Sequence, residues 1–341
     1  MPGSLLDTLH GKSSSRTPMW LMRQAGRYLP EYRALRAHKG GFLDLVYDSD
    51  AAAEVTMQPL ARFDFDGAIL FSDILIVPYA MGQKLEFLAG EGPKLSPRLV
   101  DTALDTLSAA PERLDAIYET VAKVRARLDG TTTLLGFAGS PWTVATYMIA
   151  GEGSRDQHDA RAMAYRDPPA MQAIIDAIIE VTVDYLAGQI EAGAEAVQLF
   201  DSWAGSLAPK EFQTWVVAPN AAIVSKLRAR HPATPIIGFP KGAGEKLPIY
   251  ANETGVDALG VDETIDPDWA HGALPPELPV QGNLDPLLLL AGGDALESRV
   301  TAILEAFRDR PHIFNLGHGI DRRTPIAHVE RLVEIIRSWP G

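Results

Sequence analysis

Eight short apolar segments recur along the chain, separated by longer segments with helical periodicity. The apolar segments are Pro18–Met22, Ala68–Phe71, Thr133–Phe137, Ala196–Phe200, Pro235–Phe239, Ala258–Val261, Pro279–Gln281 and His312–Asn315. They are apolar at successive rather than alternate positions, which is typical of strands buried on both faces of a parallel sheet. Helical periodicity is clearest in Met171–Ile190, Glu211–Ala229, Leu296–Arg308 and Thr324–Trp339.

This alternation of strand and helix predicts the α/β class and, within it, a single-domain (β/α)₈ barrel over residues 17–341. A doubly wound sheet is the alternative, but no G-x-G-x-x-G fingerprint follows the first predicted strand. No internal repeat and no linker rich in Pro, Gly or Ser marks a second domain. We expect residues 1–16, a short stretch containing Gly and Ser, to form a flexible N-terminal segment.

Polar clusters follow nearly every predicted strand. They are Arg23–Arg27, Ser72–Asp73, Gly139–Thr143, Asp201–Ser202, Lys241–Gly244, Asp262–Glu263, Gly282–Asp285 and Gly317–Gly319. In a barrel these clusters would converge on the rim formed by the carboxyl ends of the strands, where active sites of this fold are built. The sequence therefore predicts an active site on that rim.

Composition and charge exclude several classes of function. Of the 341 residues, 46% are hydrophobic and 22% are charged, which is typical of a globular protein with a large core. The formal net charge of −13 and the lack of a basic stripe make nucleic acid an unexpected partner. The sequence has neither the apolar centre of a signal peptide nor an apolar run approaching the roughly 18 residues of a membrane span. We therefore expect no membrane association and a cytoplasmic location.

The chain contains no cysteine, which excludes disulfides, thiolate metal sites and a cysteine nucleophile. Its histidines show neither the H-x-x-x-H nor the H-x-E spacing of zinc ligands. The sequence therefore predicts an enzyme without a metal.

Arg23 and Arg27 lie four residues apart, with Gly26 between them and Pro30 just beyond. Gly and Pro favour an irregular loop here. Two guanidinium groups on one loop suit a ligand with several carboxylates, because guanidinium binds carboxylate through two parallel hydrogen bonds. The alternative is a solvated pair that forms surface salt bridges.

Three further polar residues are candidates for the site. Asp73 is flanked by residues that favour burial, so it is either a helix-capping residue or a charge held for a ligand with N–H donors. Tyr147 lies in a predicted helix after a tight turn and has packing as its alternative role. Ser202 follows a predicted strand and has capping as its alternative.

His318 stands between two glycines directly after a predicted strand. Packing alone rarely requires this arrangement, because glycine on both sides removes the neighbours that would support a structural histidine and lets backbone approach a ligand. We therefore interpret His318 as a functional residue.

These segments together resemble the uroporphyrinogen decarboxylase family, in order, from about Pro18 to the C-terminus. The most specific segment is Met22–Tyr32, and the secondary signatures are Phe71–Leu75, Gly136–Thr143, Gly282–Pro286 and Phe314–Ile320. The resemblance implies a distorted (β/α)₈ barrel, usually a homodimer, that converts uroporphyrinogen III to coproporphyrinogen III with no cofactor. Tyr79, where bacterial relatives often have Asp, and Pro240, where Thr is commoner, depart from the family pattern.

The resemblance also implies the site residues. It assigns substrate binding to Arg23, Gln24, Ala25, Gly26, Arg27, Phe71, Asp73, Tyr147, Ser202 and His318. It assigns catalysis to Asp73, Arg23, Arg27, Tyr147 and His318.

The chemistry of that reaction gives these residues roles. A single carboxylate such as Asp73 would hold the four pyrrole N–H groups and stabilise the ring cation that forms during decarboxylation. Arg23, Arg27 and His318 are the candidate cations for the substrate's carboxylates, and Tyr147 and Ser202 are neutral donors.

Two other functions remain as alternatives. One is a catalytically silent tetrapyrrole-binding protein, which would keep the arginines but would not need Asp73 and both donors together. The other is a zinc-dependent corrinoid methyltransferase, which the absence of cysteine disfavours.

Overall fold

A parallel sheet of seven strands forms the centre of the computed structural model, which describes residues 4–12, 14, 16–88 and 92–340. Its strands are β1 (Gly67–Ile69), β4 (Thr133–Gly139), β5 (Ala196–Asp201), β6 (Ile236–Pro240), β7 (Ala258–Gly260), β8 (Val280–Leu284) and β9 (His312–Leu316). They pair in the order β1-β4-β5-β6-β7-β8-β9, so each strand neighbours the next along the chain. Almost every position of these strands is buried, as expected for strands with protein on both faces.

Helices surround the sheet. They are α1 (Ser4–Leu9), α2 (Pro30–Lys39), α3 (Phe42–Val46), α4 (Ser49–Arg62), α5 (Ile76–Ala80), α6 (Asp115–Arg127), α7 (Pro141–Ala150), α8 (His158–Arg166), α9 (Pro168–Glu191), α10 (Pro209–Phe212), α11 (Ala218–Arg230), α12 (Leu247–Glu253), α13 (Pro267–Ala273), α14 (Pro286–Ala291), α15 (Gly293–Ala306) and α16 (Ile326–Ser338). A π-helical turn, Gln213–Val217, joins α10 to α11, so the segment predicted as one helix over Glu211–Ala229 is divided. An antiparallel hairpin of β2 (Lys84–Leu88) and β3 (Gly92–Ser96) lies outside the main sheet and was not predicted.

The prediction of a strand at Pro18–Met22 is wrong, although this segment does bridge the two edges of the sheet. Met19 forms one isolated parallel bridge with Phe314 of β9, and its carbonyl accepts a hydrogen bond from the N–H of Asp66, just before β1. Backbone pairing with β9 extends to Trp20, whose N–H donates to the carbonyl of Phe314, and it ends there because side-chain amides accept from the N–H groups of Leu21 and Met22. Leu21 N donates to Gln24 Oε1 at 3.0 Å and Met22 N donates to Asn315 Oδ1 at 2.9 Å. The sheet is thus curled into the predicted barrel class, and the segment that would be its eighth strand is irregular.

The carboxylate of Asp66 holds the segment Pro18–Met22 in place. It is buried and accepts hydrogen bonds from Met19 N at 2.8 Å, Arg16 Nη2 at 2.7 Å and Arg337 Nη2 at 2.7 Å. A buried carboxylate needs such partners, since an unpaired buried charge is strongly destabilising. Within the segment predicted to be flexible, Ser4–Leu9 form helix α1 with Leu5 and Leu9 buried, and Ser4 Oγ also donates to Asp66.

No helix in the described part of the chain combines the length and the apolar character needed to cross a membrane.

Candidate active site

The Arg23–Arg27 loop is held from behind by the buried side chain of Gln24. Gln24 Oε1 accepts from Leu21 N, and Gln24 Nε2 donates to the carbonyl of Gly67 in β1 at 2.9 Å. Because the Gln24 side chain is fully buried and its amide is used internally, it positions the loop and does not face a ligand. The substrate-binding role predicted for Gln24 is therefore corrected to a structural one for its side chain.

Arg23 adopts a backbone conformation that non-glycine residues rarely take. Its φ is +61°, in the left-handed region, which costs on the order of 1 kcal/mol and is found most often at functional sites. The side chain runs directly over Gly319, where an added Cβ would lie only 2.4 Å from Arg23 Cδ. Glycine at 319 therefore leaves room for Arg23 to lie against the loop that carries His318, and this places the two residues together.

Both guanidinium groups are available to a ligand. Arg23 and Arg27 are exposed, and no ion pair or side-chain hydrogen bond joins either guanidinium to another residue within the described ranges. The surface salt bridges offered as the alternative for this pair are therefore not formed with any described residue. Two unpaired guanidinium groups on one loop are a suitable receptor for carboxylates.

Asp73 follows β1 and is half-buried. Its Oδ1 accepts a hydrogen bond from Leu75 N at 2.9 Å, just before helix α5. Burial raises the pKa of the Asp73 carboxyl, and the Leu75 N–H and the charge of Arg23 partly oppose that rise. The turn-capping alternative thus accounts for one carboxylate oxygen, while Oδ2 has no hydrogen-bond partner among the described residues and is free for a ligand.

Tyr147 lies on α7 near both of these groups. Burial raises the pKa of its hydroxyl, a side-chain hydrogen bond with Trp203 opposes the rise, and the charges of Asp73 and Arg23 also act on it. Ser202 follows β5 and is half-buried. The fold therefore brings Arg23, Asp73 and Tyr147 together on one side of the rim.

A buried network that the sequence did not predict fixes Trp203 beside Tyr147. Thr143 Oγ1 donates to Asp201 Oδ1 at 2.5 Å and accepts from Trp203 N at 3.1 Å. Burial raises the pKa of Asp201 to about 7, although hydrogen bonds from Thr143 and Asn220 oppose the rise. The sequence showed Asp201 only as part of a polar cluster, because its burial depends on α7 and α11 packing over it.

His318 is half-buried and lies near enough to Arg23 for that charge to act on it. Burial and the positive charges of Arg23 and Lys241 lower its pKa to about 3, against a smaller opposing effect of Asp262. At this pKa we expect a neutral imidazole in the free protein, in place of the predicted cation. A neutral imidazole can donate one hydrogen bond and accept another.

We expect His318 to remain neutral at pH 5 in the free protein, since its pKa lies below the ordinary value of 6.5. Imidazole NMR signals recorded from pH 8 to pH 4, assigned with His318→Gln, would measure this. If a protonated His318 were required for binding, KM would rise as the pH increases through about 6.5, the ordinary histidine value. A His318 signal titrating near 6.5 would contradict the assignment.

The other predicted residues differ in their access to this site. Gly26 lies in the loop turn, where an added Cβ would be 2.8 Å from the carbonyl oxygen of Arg23, and Ala25 is buried. Phe71 is buried, and its ring contacts Tyr32 and Phe42 with ring centroids 5.7 Å and 5.6 Å away. The buried side chains of Ala25 and Phe71 therefore pack inside the protein, and Gly26 permits the turn of the loop.

The two departures from the family pattern have separate locations. The guanidinium of Arg113 lies 4.0 Å from the ring centroid of Tyr79, a cation–π contact, and Arg113 also donates to the Tyr79 carbonyl. Pro240 ends β6 beside Asp201. Across the described part of the chain, no three His, Asp or Glu side chains are grouped so that they could hold a metal ion.

Known proteins resemble this chain in sequence and in fold. A family model described as uroporphyrinogen decarboxylase (URO-D) matches residues 3–339. The chain is 72% identical over 339 residues to the uroporphyrinogen decarboxylase of Novosphingobium aromaticivorans and 73% identical over 339 residues to that of Erythrobacter litoralis, with 99% of each chain covered in both cases. A solved structure, a methyltransferase from Methanosarcina mazei, superposes with a TM-score of 0.84 at 17% identity, covering 99% of this chain and 98% of the other. At that identity the superposition shows the barrel fold alone.

Proposed function

The chain belongs to the uroporphyrinogen decarboxylase family, and from this premise we propose that it is a carboxy-lyase that removes carbon dioxide from the four acetate side chains of uroporphyrinogen III to give coproporphyrinogen III. The observation that carries the proposal is that Asp73 and Arg23 lie near each other on one rim. Asp73 Oδ2 and the Arg23 guanidinium have no hydrogen-bond partner among the described residues. An acceptor beside a cation suits a ligand that has pyrrole N–H groups at its centre and carboxylates at its edge.

The substrate can supply its own electron sink. Protonation of a pyrrole ring carbon next to the acetate makes the ring cationic, and the C–C bond to the carboxylate then breaks with its electrons entering the ring. Carbon dioxide leaves, and a second proton converts the exocyclic methylene to methyl as the ring proton is released. Each cycle therefore consumes one proton and releases one carbon dioxide, with no net oxidation, so no cofactor is expected.

Asp73 acts in this account as an electrostatic stabiliser. A folded porphyrinogen directs its four N–H groups inward, and one carboxylate at the centre can accept from all of them. Those donors favour the ionised form of Asp73, which is otherwise disfavoured by burial. The same negative charge then offsets the cation that develops on the ring.

The remaining residues bind the periphery of the substrate. Arg23 and Arg27 bind carboxylates through their two-pronged guanidinium groups. Tyr147 and Ser202 donate hydrogen bonds, and neutral His318 is a further donor at the rim. We also propose that the enzyme works in the cytoplasm as a homodimer and that neither nucleic acid nor a membrane is a partner.

The test is incubation of the purified protein with uroporphyrinogen under reducing, anaerobic conditions, followed by chromatography of the oxidised products. The proposal predicts coproporphyrin, preceded by species with seven, six and five carboxyls. Recovery of unchanged uroporphyrin from a protein that binds it tightly would instead support the silent tetrapyrrole-binding protein.

A further prediction is that turnover survives exhaustive chelation. Its motive is the chain's lack of cysteine and of zinc-ligand spacings. The rate before and after dialysis against a strong chelator should agree within error. Loss of turnover that one added metal restores would defeat this prediction.

A further inference from the structure

Lys241 is a basic residue on the same rim that is not among the predicted site residues. It follows directly after β6, and its backbone N–H donates to the carbonyl of Asp201 at 3.0 Å. Its own carbonyl accepts from Gly205 N at 3.0 Å. These two hydrogen bonds tie Lys241 to both ends of the loop that carries Ser202 and Trp203, so its backbone is fixed next to the candidate site.

The ammonium group of Lys241 has unused hydrogen-bonding capacity. Its contact is Glu263 Oε1 at 3.7 Å, which is within range of an ion pair but too long for a hydrogen bond. An ammonium has three donors, and the Lys241 side chain remains 28% exposed. The charge of Lys241 also acts on His318, so the ammonium lies on the side of the rim that His318 occupies.

Glu263 lies against the loop Gly317–Gly319, which carries His318. An added Cβ at Gly317 would lie 2.7 Å from Glu263 Oε2, so the chain passes directly over this carboxylate. That oxygen is buried and has no hydrogen-bond partner among the described residues. Both groups have hydrogen-bonding capacity that no described residue fills. Their ion pair is longer than the close ion pairs on the surface of this protein.

We propose that Lys241 is a third cationic contact for the carboxylates of the substrate, with Glu263 holding its ammonium at the rim until substrate binds. The inference rests on the proposed function, because its ligand is the polycarboxylate named there. Such a substrate has eight carboxylates, whereas the predicted cations reduce to Arg23 and Arg27 once His318 is neutral. Because the chain has a net charge of −13, binding depends on the few cations concentrated at the site.

The rival role is a structural ion pair between Lys241 and Glu263. Under that role, Lys241→Met and Glu263→Gln would both lower the melting temperature and leave KM unchanged. Under our proposal, Lys241→Met raises KM by roughly tenfold, the scale of one lost charge-assisted hydrogen bond, with kcat changed less than twofold. Lys241→Arg should retain most of the affinity, and Glu263→Gln should lower KM or leave it unchanged because it releases the ammonium.

The experiment measures kcat, KM and melting temperature for these three variants with uroporphyrinogen. Lys226→Met, which removes a lysine paired with Glu180 on the surface, is the matched control and should behave as the wild type. NMR of His318 gives an independent readout, since removing the Lys241 charge should raise the His318 pKa. A Lys241→Met variant with wild-type KM would overturn the inference while leaving the proposed function intact. A wild-type protein that releases no carbon dioxide would overturn the proposed function itself.

Discussion

Replacement of Asp73 by Asn is expected to lower kcat by a factor of about 10² to 10³, the scale seen when one preorganised electrostatic group is removed. Asn keeps an oxygen that can accept from Leu75 N, so the turn before α5 should persist. What it loses is the negative charge that centres the four N–H groups and offsets the ring cation. Steady-state kcat and KM with uroporphyrinogen measure the effect, which should fall mainly on kcat.

Asp73→Glu separates charge from position. It keeps the carboxylate but moves it about one methylene toward the substrate, so it should weaken binding as well as turnover. A turn-capping role alone predicts a different result for Asp73→Asn, with a fall in stability of about 1 kcal/mol and nearly unchanged turnover. Full activity in a less stable Asp73→Asn protein would remove Asp73 from the mechanism.

Arg23→Lys is expected to lower kcat/KM by roughly 10- to 100-fold, because lysine keeps the charge but loses the planar fork that binds carboxylate through two hydrogen bonds. A lysine side chain also has fewer atoms than arginine, so it would make fewer contacts where Arg23 lies over Gly319. Arg27→Lys tests the second guanidinium of the loop in the same way, with a smaller loss expected because no described contact holds Arg27 against the site.

The matched control for these variants is Arg331→Lys. Arg331 lies on α16 in surface ion pairs with Glu297 at 2.8 Å and Glu334 at 3.1 Å, and such pairs contribute little to stability. The control should therefore retain wild-type kinetics. Wild-type kinetics in both Arg23→Lys and Arg27→Lys would show that the loop does not bind substrate carboxylates.

The barrel class could be predicted from the sequence because continuous apolar strands and rim clusters follow from local patterns. The run Thr133–Phe137 became β4, in which every position is buried. Gly26 and Pro30 likewise predicted an irregular loop at Arg23–Arg27, and the structure has one. The segment Pro18–Met22 has the same apolar pattern as a strand, but the side chains of Gln24 and Asn315 accept from the N–H groups of Leu21 and Met22. The Asn315 contact spans most of the chain, so the sequence pattern does not show it.

The charge state of His318 could not be predicted from the sequence, because it also depends on residues that are distant in the chain. Its flanking glycines indicate that a ligand can approach, but its pKa depends on burial and on Arg23 and Lys241, which are distant in sequence. The same holds for Asp201, whose raised pKa depends on burial beneath α7 and α11. Motifs therefore indicated candidate residues for the rim, whereas the protonation of His318 and Asp201 depends on the fold.

The most direct test of the account counts the carbon dioxide released from uroporphyrinogen labelled in its acetate carboxyls, with wild-type protein and Asp73→Asn compared at equal concentration. Melting curves of the same preparations show whether both proteins are folded. The account predicts four equivalents of labelled carbon dioxide per substrate from the wild type, and release slower by about 10² or more from a variant that melts within a few degrees of it. Equal rates of release from the two proteins, or none from the wild type, would contradict it.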